Sequence, residues 1–217
     1  MTATLVGATG LIGSYLLEVL LNDPWFDTVR ILIRRPMDIT HAKLEKKIVD
    51  FNDSDSVLVA LSNSDVVFCA IGSTMKKVKG DKDAYRKIDF EIPVNLARFC
   101  KMTGCEKFIH VSSAGANAKS MNFYQRLKGE TDEAVKENGP KTVHIMRPSL
   151  LLGERKEFRF GENMGKAFMT TLSFLIPEKY KAIQGKDVAK VMVALANKKE
   201  EGFFIHENRE IRELSKK

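Results

Sequence analysis

The chain has 217 residues, 44% of them hydrophobic and 29% charged, with a formal net charge of +7. This length predicts a single domain over residues 1–217 with one sizeable core, and the composition excludes a disordered or membrane-embedded chain. The lysines are scattered in short clusters, so we expect a solvated basic surface and no nucleic-acid partner. Binding to nucleic acid or a membrane surface is an alternative that rests on charge alone.

Short apolar runs alternate with helical stretches, a pattern typical of βαβ units around a parallel sheet. Strands are predicted, in chain order, at Thr2–Val6, Thr28–Ile33, Lys47–Phe51, Asp65–Ile71, Lys107–Ser112 and Thr142–Met146. Helices are predicted between them at Leu11–Asn22, Ser54–Ser62, Ala84–Thr103 and Met121–Asn138. Pro93 should lie early in a helix or kink one, because proline lacks a backbone N–H. The sequence therefore predicts an α/β, Rossmann-type, doubly wound parallel sheet with helices on both faces.

The pattern becomes less regular after Pro148, where a charged loop precedes an apolar segment at Met164–Ile176. We expect residues 153–180 to form a small C-terminal substrate-side region. Farther along, Lys186–Ala196 has the pattern of an amphipathic helix, and Gly202–His206 that of a last edge strand.

A glycine-rich segment follows the first strand directly and precedes an amphipathic helix. Glycine permits a tight turn and a close approach to a pyrophosphate, while a helix N-terminus supplies N–H groups and partial positive charge. The segment therefore predicts a phosphate cradle, with a plain strand-to-helix turn as the alternative. Its spacing is GxxGxxG, and the predicted contact residues are Gly7, Thr9, Gly10, Leu11, Ile12 and Gly13.

Two arginines, Arg34 and Arg35, follow the second strand, where an NAD-specific fold usually has an acidic residue that binds the adenosine ribose. A carboxylate would repel a ribose 2′-phosphate, whereas guanidinium groups bind it with charge-assisted hydrogen bonds. The pair therefore predicts NADP(H) as the cofactor. The alternative is a pair of solvated arginines.

The third and fourth predicted strands also end in candidate nucleotide-binding residues. The carboxyl edge of a doubly wound sheet borders the nucleotide crevice. Asp50 and Phe51 are therefore expected to flank the adenine, and Ala70, Ile71 and Gly72 the ribose. Asp50 could equally belong to a surface turn.

A possible catalytic set begins at the end of the fifth strand with Ser112 and Ser113, and continues on the next helix with Tyr124 and Lys128. Residues four apart share one helix face. A phenol with an ordinary pKa of about 10 becomes a usable base near a cation, which Lys128 can supply. A serine, with Ser113 favoured over Ser112, can hold a carbonyl or alcohol oxygen while Tyr124 moves a proton. YxxxK also occurs by chance, so a structural role is the alternative.

These motifs together resemble an atypical short-chain dehydrogenase/reductase, and within that group the Tat-interacting-protein, tumour-suppressor-like oxidoreductase family. The similarity extends from Leu5 to about Ala196. The matching segments are Gly7–Gly13, Arg34-Arg35, Val49–Phe51, Phe68–Thr74, Ser112-Ser113, Tyr124–Glu130 and Arg147–Gly153.

The resemblance implies that Leu151 and Arg159 contact NADPH, together with Thr9 to Ile12, the arginine pair, Tyr124 and Lys128. It also implies that Tyr124 is the proton donor or acceptor. Some members of that family bind NADPH and are described mainly as regulatory proteins, so the resemblance supports the cofactor more than turnover.

The combined prediction is an NADP(H)-dependent oxidoreductase that acts on a small carbonyl or alcohol substrate, as a monomer or homodimer. The alternative is a non-catalytic NADPH-binding regulatory or scaffold protein. Nucleotide-sugar epimerases and dehydratases share the Tyr–Lys pair, but they usually need a larger C-terminal domain than the residues that follow Gly153 can supply.

Cysteines, histidines and the N-terminus bear on location and metals. Three cysteines without CxxC spacing favour a reducing compartment and predict no zinc site. The four histidines lack paired spacing, so no metal is expected. No basic n-region or cleavage site precedes the glycine loop, and we therefore expect no secretory signal, no membrane span and a cytoplasmic location.

Overall fold

The computed structural model describes residues 1–153, 177 and 180–216. Its strands are β1 Thr2–Val6, β2 Thr28–Ile33, β3 Leu44–Ile48, β4 Val66–Cys69, β5 Lys107–Val111, β6 Thr142–Arg147, β7 Leu151–Leu152, β8 Ile183–Gln184 and β9 Gly202–Glu207. Its helices are α1 Leu11–Asn22, α2 Ser54–Leu61, α3 Lys82–Arg86, α4 Ile92–Met102, α5 Phe123–Asn138, α6 Gly185–Ala196 and α7 Asn208–Leu214. A π-turn, Lys87–Glu91, joins α3 to α4.

Seven parallel strands form the main sheet in the order β3-β2-β1-β4-β5-β6-β9, while β7 and β8 pair separately. From β1 the chain moves outward to β2 and β3, and it then crosses back to place β4 on the other side of β1. The strand order therefore reverses between β1 and β4. In open α/β sheets, ligands bind outside the carboxyl ends of the strands at such a switch point.

Apolar side chains cover both faces of the sheet, as a buried parallel sheet requires. On one face, Leu5 belongs to a core that includes Leu16 of α1 and Met192 of α6. On the other, Val6 belongs to a core that includes Leu96 of α4 and Val135 of α5. The predicted doubly wound α/β arrangement is confirmed. In the part of the chain that the structure describes, no helix combines the length and apolar character needed to cross a bilayer.

Pro93 shapes the approach to α4, as its sequence position predicts. Proline has no N–H, so the carbonyl four residues earlier, that of Asp89, loses its helical donor. The π-turn places this carbonyl beside α5, where the Thr131 hydroxyl donates to it at 3.1 Å. The π-turn before α4 is therefore linked to α5, and Asp89 is fixed between these two helices.

Several predicted boundaries are wrong, for local reasons. The third strand was predicted at Lys47–Phe51 but is Leu44–Ile48, because its register with β2 pairs Val29 with Leu44 and Ile33 with Ile48. The chain then turns at Asp50, which accepts a hydrogen bond from the Asn52 backbone. The predicted helix from Met121 begins at Phe123, since the Asn122 side chain caps it by accepting from the Gln125 N–H.

The C-terminal elements are partly as predicted. Residues 185–196 form α6, and β9 is the last edge strand, parallel to β6. The short β7–β8 pair and α7 were not predicted, because two-residue strands and a seven-residue helix give almost no periodic signal. The predicted apolar segment at 164–176 lies outside the described residues.

Candidate functional site

The glycine loop touches the end of β4 at the switch point. Gly7 has φ +97°, and a Cβ there would lie 2.7 Å from the backbone carbonyl carbon of Ala70. A Cβ on Gly13 would lie 2.0 Å from the Gly7 carbonyl oxygen, so neither position tolerates a side chain. Glycine thus lets β1, β4 and α1 meet closely, and the structure brings the predicted Gly7–Gly13 and Ala70 segments together.

The first turn of α1 presents backbone donors at this junction. The first N–H groups of a helix have no acceptor within the helix. Gly10, the residue before α1, has no side chain to cap them, and the first turn contains no acidic residue. Thr9 and Gly10 are exposed at the loop surface. The loop can therefore hold an anionic group, such as a pyrophosphate, through backbone N–H groups and the helix dipole.

Arg34 and Arg35 follow β2, the neighbour of β1, and both are exposed. Among the residues that the structure describes, no carboxylate forms an ion pair with either of them. Their guanidinium groups can therefore turn toward an anionic ligand at this edge without breaking an ion pair to a described residue. In Rossmann folds that bind NADP, an arginine near this part of the chain accommodates the ribose 2′-phosphate.

The other residues predicted to bind the nucleotide have different surroundings. Ala70, Ile71 and Gly72 follow β4 directly and lie beside the glycine loop. Asp50 is exposed and accepts hydrogen bonds from both the backbone and the side chain of Asn52, so it shapes the turn before α2. Phe51 packs against the core below α2 and α4.

Tyr124 and Lys128 occupy the first two turns of α5 and share one face, as predicted. Tyr124 is 37% exposed, and its ring meets the Tyr85 ring edge-on, with 6.5 Å between centroids. The Lys128 side chain is only 4% exposed. The tyrosine is therefore accessible to a ligand, while the lysine lies beneath it as a buried cation.

The partner of that cation, Asp89, was missed by the sequence analysis. Its Oδ1 lies 2.8 Å from Lys128 Nζ, and its Oδ2 accepts a hydrogen bond of 2.7 Å from the Ser73 N–H. Burial alone would lower the pKa of Lys128, but the charges of Asp89 and Tyr124 outweigh it and raise the pKa above its ordinary value. Lys128 is therefore an ammonium at neutral pH. The available signal was Pro93, four residues after Asp89.

The two candidate serines have different surroundings. Ser112 is buried, and its hydroxyl neighbours the Asp132 carboxylate, which also receives two Arg147 contacts at 2.9 Å. Burial raises the pKa of Asp132, although Ser112 and Arg147 act in the opposite direction. Ser113 is only half-buried, and its hydroxyl donates to the Ala114 carbonyl at 3.4 Å. Ser113 is the more accessible hydroxyl.

The segment after β6 returns to the glycine loop. Leu151 is half-buried in β7, which pairs with β8. A Cβ on Gly153 would lie 2.8 Å from Leu11 Cδ1, so this segment contacts the first turn of α1. Arg159, the other residue implied by the resemblance, lies outside the described residues.

Two histidines inside the sheet, His110 and His144, are held neutral. Burial, together with the nearby Lys128 charge, lowers the pKa of His110 to about 3. Burial and the neighbouring His206 lower the pKa of His144 to about 3 as well. Its Nδ1 lies 3.0 Å from His206 Nε2. Within the described ranges, no three His, Cys, Asp or Glu side chains form a group that could hold a metal ion.

Comparison with known proteins identifies the class. A family model described as NAD(P)H-binding matches residues 7–199, and the chain belongs to this NAD(P)H-binding Rossmann-type family. Within it, the chain falls in the atypical short-chain dehydrogenase/reductase group that its motifs resemble.

Particular relatives cover most of the chain. The mitochondrial protein FMP52 of Debaryomyces hansenii is 35% identical over 211 residues, which are 91% of this chain and 88% of that protein. FMP52 of Candida albicans is 31% identical over 207 residues, 91% of this chain and 89% of that protein. HTATIP2 of Rattus norvegicus is 29% identical over 196 residues, 89% of this chain and 78% of the relative.

Solved structures share the fold. MoeE5 bound to UDP-glucuronic acid and NAD superimposes with a TM-score of 0.73 at 16% identity, covering 94% of this chain and 75% of that chain. UDP-glucose 4-epimerase of Thermotoga maritima, bound to UDP-glucose, gives a TM-score of 0.71 at 17% identity, covering 100% and 82%.

The expected cytoplasmic location is wrong. The FMP52 relatives of Candida albicans, Debaryomyces hansenii and Aspergillus fumigatus are all named as mitochondrial proteins. The expectation depended on the cysteine pattern and on the lack of a secretory signal, and neither observation separates the cytoplasm from other compartments that a protein reaches without being secreted.

Proposed function

We propose that this protein is an NADP(H)-dependent oxidoreductase that transfers hydride between NADP(H) and a small carbonyl or alcohol substrate, with Tyr124 as proton donor or acceptor. The observation that carries the proposal is an accessible Tyr124 one helical turn before a buried, charged Lys128 on α5. A buried cation near a phenol stabilises the negative charge that the phenol oxygen carries once it has given its proton to the substrate.

The nucleotide side of the crevice supplies the binding groups. The loop from Gly7 to Gly13 and the N-terminus of α1 would hold the pyrophosphate, and Arg34 and Arg35 the 2′-phosphate. The match of residues 7–199 to an NAD(P)H-binding family supports the cofactor class, and the arginine pair supports NADP(H) over NAD(H). When bound, the cofactor supplies or accepts the hydride.

The proton follows a separate route through side chains. In the reductive direction, the Ser113 hydroxyl donates a hydrogen bond to the substrate carbonyl oxygen and orients it. Tyr124 then gives its hydroxyl proton to that oxygen as hydride reaches the carbon, and the phenolate that remains is stabilised by Lys128. In the oxidative direction, Tyr124 takes the alcohol proton back. Ser113 follows β5 at its carboxyl edge, and Tyr124 and Lys128 are on α5.

A substrate screen tests the proposal. Purified protein with NADPH is mixed with aldehydes, ketones, quinones and enones, and NADPH absorbance is followed. We expect consumption with at least one class, lost in Tyr124→Phe while NADPH binding persists. If no class is reduced, and NADPH instead changes the binding of a protein partner, the chain is a cofactor-binding regulator and the enzymatic proposal is wrong.

We also propose a mitochondrial location, supported by the names of the fungal relatives. Fractionation of cells that express the full-length protein with a C-terminal tag tests it. Recovery with the mitochondrial matrix or membrane fractions is expected, and recovery in the cytosol alone would refute it.

A further inference from the structure

Asp89 connects three elements at the centre of the site. Its side chain is 1% exposed, and its two carboxylate oxygens contact different partners, Lys128 Nζ at 2.8 Å and the Ser73 N–H at 2.7 Å. Its carbonyl accepts from the Thr131 hydroxyl. Ser73 belongs to the loop that follows β4, and its carbonyl also accepts from the Tyr85 hydroxyl at 3.4 Å. The loop after β4 and α5 are therefore joined through one carboxylate.

We propose that Asp89 is a positioning residue of this site: its carboxylate keeps the Lys128 side chain charged and holds it between the loop after β4 and Tyr124. The inference rests on the function proposed above for Lys128. It goes further because it assigns a role to a residue that acts through Lys128 and the Ser73 backbone.

The surroundings of Lys128 explain why a carboxylate is needed there. The groups that face it are Asp89 from the π-turn, Tyr85 from α3, Tyr124 and Asp132 from its own helix, His110 from β5 and Cys69 from β4. Asp132 is already engaged by Arg147. His110 stays neutral, since burial lowers its pKa to about 3, and burial raises the pKa of Cys69 to about 12. Asp89 is thus the carboxylate in direct contact with the ammonium.

Removing the Asp89 carboxylate should lower the pKa of Lys128. With Asp89 present, the pKa of Lys128 is raised, so its charge is retained throughout the range in which proteins are assayed. Without Asp89, burial dominates, and burial lowers the pKa of a lysine by up to about 3–5 units from about 10.4. In Asp89→Asn, Lys128 should therefore lose its proton within the alkaline range, and groups that depend on its charge should lose function there.

Cofactor binding gives the first readout. NADPH affinity is measured by fluorescence from about pH 6 to about pH 9.5 in the unmodified chain, Asp89→Asn and Asp89→Glu. We expect Asp89→Asn to lose affinity progressively toward high pH, by about tenfold more than the unmodified chain, as Lys128 deprotonates. Asp89→Glu should restore the unmodified profile. Loss that is equal at every pH would show that Asp89 acts only structurally.

Thermal stability gives a second readout, which needs neither cofactor nor turnover. In Asp89→Asn, the folded-state pKa of Lys128 falls below its unfolded value, so stability should rise with pH relative to the unmodified chain. The difference in Tm between the two should therefore narrow toward about pH 10. Glu45→Gln is the matched control. It breaks the 2.6 Å ion pair between Arg30 and Glu45, and Arg30 also donates to the Ser62 carbonyl before β4, away from the carboxyl ends of the strands. The Tm difference between Glu45→Gln and the unmodified chain should not narrow toward high pH.

A double variant keeps the test decisive if Asp89→Asn does not fold. An uncompensated buried ammonium is strongly destabilising, so Asp89→Asn with Lys128→Met should fold and melt higher than Asp89→Asn alone. Failure of the double variant to recover stability would overturn the proposal, as would a Tm difference that stays constant with pH. The outcome is separable from the proposed function, because an inactive but normally titrating protein would refute the enzyme alone.

Discussion

In the half of the sheet that contains β1 to β3, the strands lead into a glycine loop at the N-terminus of a helix and into two exposed arginines. In the half that contains β4 to β6, the candidate groups are the side chains of Tyr124 and Ser113 and the buried Lys128–Asp89 pair. Under the proposed function, the first half would recognise the shape and charge of the cofactor through a tight turn. The second half would depend on a desolvated charge pair, so its chemistry would respond to single side chains and to pH.

The largest effect is expected in the first half, at the glycine loop. Gly13→Ala would place a Cβ 2.0 Å from the Gly7 carbonyl oxygen, which only backbone movement can relieve. We expect the Tm to fall and NADPH affinity to drop by more than about a hundredfold, since the cradle must open. Calorimetry and fluorescence titration measure the two quantities.

Gly104→Ala is the control for that change. Gly104 also has a positive φ, +76°, but a Cβ there would meet nothing within 4 Å, and the residue lies before β5 at the opposite edge of the sheet. It should lower the Tm slightly and leave NADPH affinity unchanged. Equal loss of affinity in both variants would mean that global destabilisation, not the cradle, explains the effect.

A smaller effect is expected from the arginines, because they act at the surface of the first half. Arg35→Glu should narrow or reverse a preference for NADPH over NADH, at a cost of about 1.5–3 kcal/mol, or roughly ten- to a hundredfold in affinity. Arg98→Glu, an exposed arginine on α4, is the charge-matched control and should leave the preference intact. Equal affinities for the two cofactors in the unmodified chain would remove the basis for assigning NADP(H).

The smallest effect is expected at the N-terminal cap of α5, the helix of the second half. Asn122 caps α5, the helix that carries Tyr124 and Lys128, by accepting from the Gln125 N–H at 3.1 Å. Asn122→Ala should cost about 0.5–2 kcal/mol of stability and leave NADPH affinity near normal. Chemical denaturation measures the cost. A loss of affinity as large as that of Gly13→Ala would show that the start of α5, and not the glycine loop, controls the cradle.

The same comparison explains what the sequence predicts and what it does not. The glycine loop and the arginine pair are each short contiguous segments, so the sequence alone predicts that they directly follow β1 and β2, as they do. That they bind NADP(H) stays a prediction. The Asp89–Lys128 pair joins elements distant in sequence, and no periodicity marks it. For Asp50, where a surface turn was the alternative to a place beside the adenine, the structure shows the turn contact with Asn52, because short polar side chains satisfy nearby backbone groups first. A contact of Asp50 with the adenine stays a prediction.

The limits of strands and helices were also predicted well only where the local sequence pattern is strong. The end of β3 was misplaced because the strand is at the sheet edge and exposes charged residues, so the apolar run after it gave the stronger signal. The start of α5 was misplaced because its cap is one residue after an exposed Met121 that extends the apparent pattern. Strands β1 and β2, which are covered on both faces, were predicted with their observed limits.

The central claim is that Tyr124 moves the proton while the nucleotide half only binds. The most direct test compares turnover of the unmodified chain and Tyr124→Phe at saturating NADPH, with a substrate found by the screen. The phenyl ring keeps the packing against Tyr85 and removes only the hydroxyl. We predict that kcat falls by a factor of about 10² or more while NADPH affinity changes little. Near-normal kcat in Tyr124→Phe would contradict the claim and leave the Tyr–Lys pair with a structural role.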